Sequence, residues 1–203
     1  MTVTGTAYFA LIGMGFMMAE IGLLQRMSVF LGHPTYALSV VLFSLILFAG
    51  FGSFACDRYS LSSDRRLLVW SVLTGCYLIV LPMLLPVLFA YFSGAVQLSR
   101  VLLSIAIIAP AGFLMGFGFP TGLRLVSTID ARPVPWLWGI NGGAGVLASS
   151  IAVLLSIQFG IDTTLRTAAV TYFLTGAVGL FLHAANPIGA VKPMSRSQGA
   201  TKA

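Results

Sequence analysis

Six long apolar runs, separated by short clusters of charged and turn-forming residues, account for most of the chain. A helix needs roughly 20 apolar residues to cross about 30 Å of hydrocarbon, and each run is long enough. The first covers 5–31 and is interrupted only by Glu20, Gln25 and Arg26. His33 and Pro34 open the second, 35–56, which contains no charge. Proline suits a first helical turn, where its missing N–H has no partner to lose. The segment 57–66, from Asp57 and Arg58 to Arg65 and Arg66, is the most polar loop of the chain. The third run, 67–92, carries Pro82 and Pro86 toward its far end, which predicts a kink or a stop there. The fourth, 101–123, has Pro110 in its middle, where a kink is predicted, and Pro120 near its end. A loop with Arg124, Asp130, Arg132, Pro133 and Pro135 leads to the fifth, 136–161. Asp162, followed by Thr163 and Thr164, reads as the N-cap of the sixth, 163–184. From Asn186 the chain is polar, and disorder is predicted. The expected fold is all-α: a polytopic bundle of about six transmembrane helices over 1–185, with a cytoplasmic tail over 186–203.

Composition changes this picture little and charge sharpens it. Of 203 residues, 58% are hydrophobic and 8% charged, against about 25% charged in soluble domains. The mean hydropathy is +0.99, so the solvent for most side chains is lipid. The net charge of +6 reads as topology rather than as nucleic-acid binding, because Lys and Arg are retained on the cytoplasmic side. Arg58, Arg65, Arg66, Arg124, Arg132, Lys192, Arg196 and Lys202 fall on the side of the N-terminus. Only Arg26, Arg100 and Arg166 fall opposite. Both termini are therefore expected in the cytoplasm, with Trp136 and Trp138 as interfacial anchors. No Lys or Arg precedes the first run, so it reads as an uncleaved span and not a signal peptide. Cys56 and Cys76 lack the spacing and companions of a disulfide framework or metal site. A three-plus-three inverted repeat does not emerge, since the proline-bearing third and fourth runs do not correspond.

Glu20 is the residue most open to a functional reading, because a carboxylate in a span is costly unless neutral, paired or facing a polar cavity. Arg26 lies on another helical face, so an intrahelical pair is not expected. Partners from other helices are sought in Asn141 and Gln158, either of which lies within a span. Small residues recur four apart at Gly112 and Gly116, Gly118 and Gly122, and Gly139 and Gly143. Such spacing lets two backbones approach closely in lipid, so all six are expected at helix contacts. The stretch from Gly116 to Pro120 has a second reading, a helix break that turns backbone carbonyls toward a cavity. Asn141, among Gly139, Gly142, Gly143 and Gly145, is expected as interhelical glue or a ligand contact. The loop 57–66 shares an Asp-Arg pair with the loop after helix two of major facilitator transporters, but not that family's glycines. A solvated, positive-inside loop accounts for the same residues. Nucleotide turns, His-Glu pairs, Cys-x-x-Cys and nucleophile elbows are absent from the sequence. His33 and His183 read as boundary residues. No catalytic residue, cofactor or metal is therefore expected.

Three stretches together resemble a known membrane region. The first is Gly15-Phe16-Met17-Met18-Ala19-Glu20-Ile21-Gly22-Leu23-Leu24-Gln25-Arg26, continuing to Phe30-Leu31-Gly32-His33-Pro34-Thr35-Tyr36. The others are Gly116-Phe117-Gly118-Phe119-Pro120-Thr121-Gly122-Leu123-Arg124 and Pro135-Trp136-Leu137-Trp138-Gly139-Ile140-Asn141-Gly142. They are similar to the C-terminal membrane region of large bacterial proteins called spermidine-synthase-like, in which a soluble aminopropyltransferase-like domain lies upstream. The soluble domain's substrate motifs are not in this chain. The resemblance implies a multi-pass protein of the bacterial inner membrane, non-catalytic by itself, associated with an aminopropyltransferase-like partner. The alternative is a half-size transporter of a small solute that assembles as a homo-oligomer, with Glu20 as the coupling carboxylate.

Overall fold

In a computed structural model, residues 2–61, 63–127, 132 and 134–184 are described. The expected tail over 186–203, and Asp130 and Pro133 of the fourth loop, lie outside them. Seven helices form six spans: α1 (Thr2–Leu31), α2 (Pro34–Arg58), α3 (Asp64–Tyr91), α4 (Gln97–Gly116) with α5 (Gly118–Ser127), α6 (Val134–Phe159) and α7 (Ile161–Ala184). Each span is long and apolar enough to cross a membrane, the fourth being shared by α4 and α5. The chain is an all-α, multi-pass membrane protein.

α1, α2, α4, α3 and α7 close a ring, each packing on the next, and α6 lies outboard against α1 and α7. Small residues set these contacts. Gly13 of α1 meets Asn141 of α6, and Gly145 of α6 meets Met17, so α1 and α6 run parallel. Gly15 and Gly22 of α1 meet Tyr172 and Leu165 of α7, running antiparallel. Gly112 and Gly116 lie against Leu45 and Ala49, which makes α2 and α4 parallel. The ring encloses one apolar core in which Leu23, Met27, Leu45, Leu78, Leu85, Ile108 and Tyr172 are fully buried. A smaller cluster of Tyr8, Phe9, Ile12, Val126, Leu137 and Leu182 fills the end nearest the N-terminus.

Several local expectations need correction. α3 runs through Pro82 and Pro86 to Tyr91 without a stop; proline is tolerated in spans where packed neighbours support the helix. The interruption of the fourth span falls at Phe117, and Pro110 stays inside α4. Asp162 is not a cap. Gly160, at φ 88°, turns the chain directly from α6 into α7, and Asp162 lies in the first turn of α7. Its carboxylate pairs instead with the Arg26 guanidinium of α1. The same end of α1 is held by Arg100 and Gln97 of α4, which donate to the carbonyls of Phe30 (3.5 Å) and Leu31 (3.3 Å).

Candidate functional site

Proline at 120 cannot donate to the Gly116 carbonyl and crowds it. Glycines at 116 and 118 weaken the helix on either side, and the ladder of helical hydrogen bonds is interrupted between them at Phe117, whose backbone stays helical at φ −72° and ψ −26°. Two aromatic side chains from other helices take up carbonyls beside the break. Trp70 of α3 donates its indole Nε1–H to the Leu114 carbonyl at 2.6 Å, and the Tyr8 hydroxyl of α1 donates to the Gly118 carbonyl at 3.1 Å. Pro110 has no such flanking glycines, and α4 passes it unbroken. Below the break, Cys56 Sγ and Thr121 Oγ1 lie 3.6 Å apart, within hydrogen-bonding distance. Arg124 then reaches across to α2, donating to the Cys56 carbonyl at 3.0 Å and pairing with Asp57.

The break lines a cavity of about 750 Å³ between α2 and α6, two helices that do not pack against each other. Its wall includes Gly13, Ser53, Gly116, Pro120, Trp138 and Asn141. Trp138 meets Phe119 edge to face, with ring centroids 4.5 Å apart. Asn141 donates through Nδ2 to the Phe9 carbonyl of α1 at 3.0 Å. That bond depends on Gly13, since a Cβ there would run into the Asn141 backbone carbonyl. Asn141 thus cross-links α6 to α1 from the cavity wall.

The structure divides the six candidate packing glycines. Gly112, Gly116, Gly118 and Gly122 sit on contacts with α2, α1 or Trp70 of α3. Gly139 and Gly143 do not: both are exposed, and a Cβ on either would meet open space. Their expected contact within this chain is corrected, because Asn141 and Gly145 carry the α1–α6 seam on another face of α6. The four-residue spacing alone does not say which helical face is covered.

Glu20 lies half-buried on α1 with no hydrogen bond or ion pair among the described residues. Of its expected partners, Asn141 is taken by Phe9, and Gln158 is exposed on α6. Neither meets it. On its own helix Gly13 and Met27 are buried, and Phe16, Met17 and Leu24 are half-buried, so this face turns partly inward. Glu20 stands six residues before Arg26, roughly 9 Å along the axis. At that level a polar layer begins, in which the Ser156 hydroxyl donates to Gln25 Oε1 at 2.6 Å and lies 2.8 Å from Thr164 Oγ1. Glu20→Gln is expected to leave thermal stability equal to or above the parent, because it removes a charge that has no partner. A loss greater than about 1 kcal/mol, the worth of a typical hydrogen bond, would mean the carboxylate is tied to a group from another helix.

Three pairs among the described residues escaped the sequence reading, one of them His183 with Asp64. Arg26 with Asp162 and Arg124 with Asp57 join residues far apart in the chain. The only signal for either was that each acid and base sits near a span end. Compared with protein families, characterised proteins and solved structures, the chain finds no match.

Proposed function

We propose that this chain is a non-catalytic membrane module that works by association, anchoring or serving a soluble aminopropyltransferase-like partner, as its resemblance to spermidine-synthase-like membrane regions implies. The observation that supports association is α6. It is the least buried of the six spans, and it carries Gly139, Gly142 and Gly143 outward with nothing against them. Small residues on a lipid-facing helix permit close approach of another helix. Co-expression with an aminopropyltransferase-like protein is the direct test. The soluble protein is expected to become membrane-retained when the module is present and to stay in the soluble fraction without it. A soluble protein that ignores the membrane module would sink this reading.

The second reading, an oligomeric transporter of a small solute, draws on the broken fourth span beside a cavity. Broken helices at membrane depth are where transporters bind solutes. Solute uptake by the purified chain in vesicles, lost in Glu20→Gln with folding intact, would move the assignment to transport.

Either role requires a defined orientation in the bacterial inner membrane. Because α1 and α7 are antiparallel, the start of α1 and the end of α7 share one side. We place that side in the cytoplasm from the excess of arginine there. A reporter at Ser63 or after the C-terminus is expected to read cytoplasmic, and one at Gln97 external. An external signal at Ser63 reverses the orientation.

A further inference from the structure

The connection between α2 and α3 forms the mouth of a second groove, of about 720 Å³, between α3 and α4. Arg58 ends α2, and Arg65 and Arg66 stand in the first turn of α3; all three line the mouth. Below them the groove descends about two turns along α3, roughly 10 Å, over Val69, Leu73 and Phe113. The carboxylates of this connection are engaged elsewhere. Asp57 pairs with Arg124 of α5, and Asp64 with His183 of α7. Arg58 and Arg65 make no ion pair among the described residues, and Arg66 donates only to the Ser60 carbonyl, at 3.2 Å. Arg65 and Arg66 also sit at the positive end of the α3 dipole, where cations are disfavoured and anions stabilised. Ser63 supplies no side-chain cap to the N–H groups there. Three uncompensated cations therefore crowd the entrance of an apolar slot that opens to the lipid.

We propose that this groove binds an anionic glycerophospholipid of the adjoining leaflet, its phosphate among Arg58, Arg65 and Arg66 and an acyl chain along Val69, Leu73 and Phe113. An arginine fork suits phosphate oxygens. The apolar length of the slot distinguishes a lipid from a free phosphate, which would neutralise the mouth and leave the lower half unfilled. Arg124 is already committed to Asp57 and the Cys56 carbonyl, so it does not compete for the headgroup.

Trp70 lines this groove and is one of three tryptophans in the chain. With Trp136→Phe and Trp138→Phe, its fluorescence reports the groove alone. The protein is reconstituted in phosphatidylcholine vesicles containing equal mole fractions of either bromo-acyl phosphatidylglycerol or bromo-acyl phosphatidylcholine. The brominated phosphatidylglycerol is expected to be enriched beside Trp70 by at least about tenfold, given about fivefold for each arginine near an anionic lipid. Arg65→Gln and Arg66→Gln singly are each expected to reduce that enrichment about fivefold, while a label at Ser63 remains on its original side. The single variants leave two of the three arginines in place, which keeps the result independent of insertion. Equal quenching by the two lipids overturns the proposal, as does an unchanged preference in both arginine variants. Soluble glycerol 1-phosphate, which cannot fill the apolar slot, is expected to leave the quenching in place, and complete relief at the concentration of the lipid would show that the acyl chain adds nothing and overturn the lipid.

Discussion

Leucine in place of Gly116 is expected to destabilise the bundle by about 3 kcal/mol, the upper end of overpacking costs, or about 6–12 °C in thermal midpoint for a chain of this size. A Cβ at Gly116 runs into the backbone of Ala49 on α2, and one at Gly52 runs into the backbone of Phe113 on α4. Side chains can yield by changing rotamer, but a helix backbone moves only if the whole helix moves. Gly52→Leu is therefore expected to match Gly116→Leu, both forcing α2 and α4 apart. Gly139→Leu and Gly143→Leu supply the contrast, since each would project into open space. In purified protein they are expected to shift the midpoint by no more than a surface change does, about 0.5 kcal/mol. Unchanged midpoints for both Gly116→Leu and Gly52→Leu would remove the tight α2–α4 contact.

Asp162→Asn is expected to cost about 1–3 kcal/mol, the penalty for stranding a desolvated partner. Arg26 is only 25% exposed at its side chain and Asp162 35%, and the buried Arg26 Nε has no acceptor among the described residues. Removing the carboxylate's charge leaves a guanidinium partly withdrawn from water with only a neutral amide oxygen to receive its protons. The double change Arg26→Gln with Asp162→Asn is expected to recover part of the loss, because the stranded charge is gone. Thermal melts of the two single variants and the double variant give the coupling directly. Additive losses would show that the two groups do not interact.

These outcomes indicate what the linear pattern discloses. The six spans were legible because the bilayer demands a minimum apolar length, and the charges between runs are too costly to bury. Gly112 to Gly122 were legible as contacts because the fourth span must approach its neighbours closely. The break at Phe117 was only half legible. Gly116, Gly118 and Pro120 carry its signal, yet Pro110 carries a similar one and stays helical. Both places have an aromatic donor from α3, Tyr77 to the Ile107 carbonyl and Trp70 to the Leu114 carbonyl, so what separates them is the pair of glycines at 116 and 118 ahead of Pro120. Glu20, Gly139 and Gly143 show a different limit. Their spacing places them on a face, and only the packing of α6 on α1 decides whether that face is covered.

The pairing of α1 with α6 and α7 also orders events in time. A nascent chain inserts its first helix long before its last, and at about 5–20 residues per second α6 and α7 follow α1 by on the order of ten seconds. Throughout that interval α1 lacks the Asn141 cross-link, the Asp162 counter-ion and the Tyr172 surface that its glycines accept. It must wait in lipid with Glu20 and Arg26 uncovered, exposed to quality-control proteases and to helices of other chains. The α6–α7 hairpin, made well after α1, is thus the one that secures it, and a chain cut short before α6 leaves α1 without a place to dock.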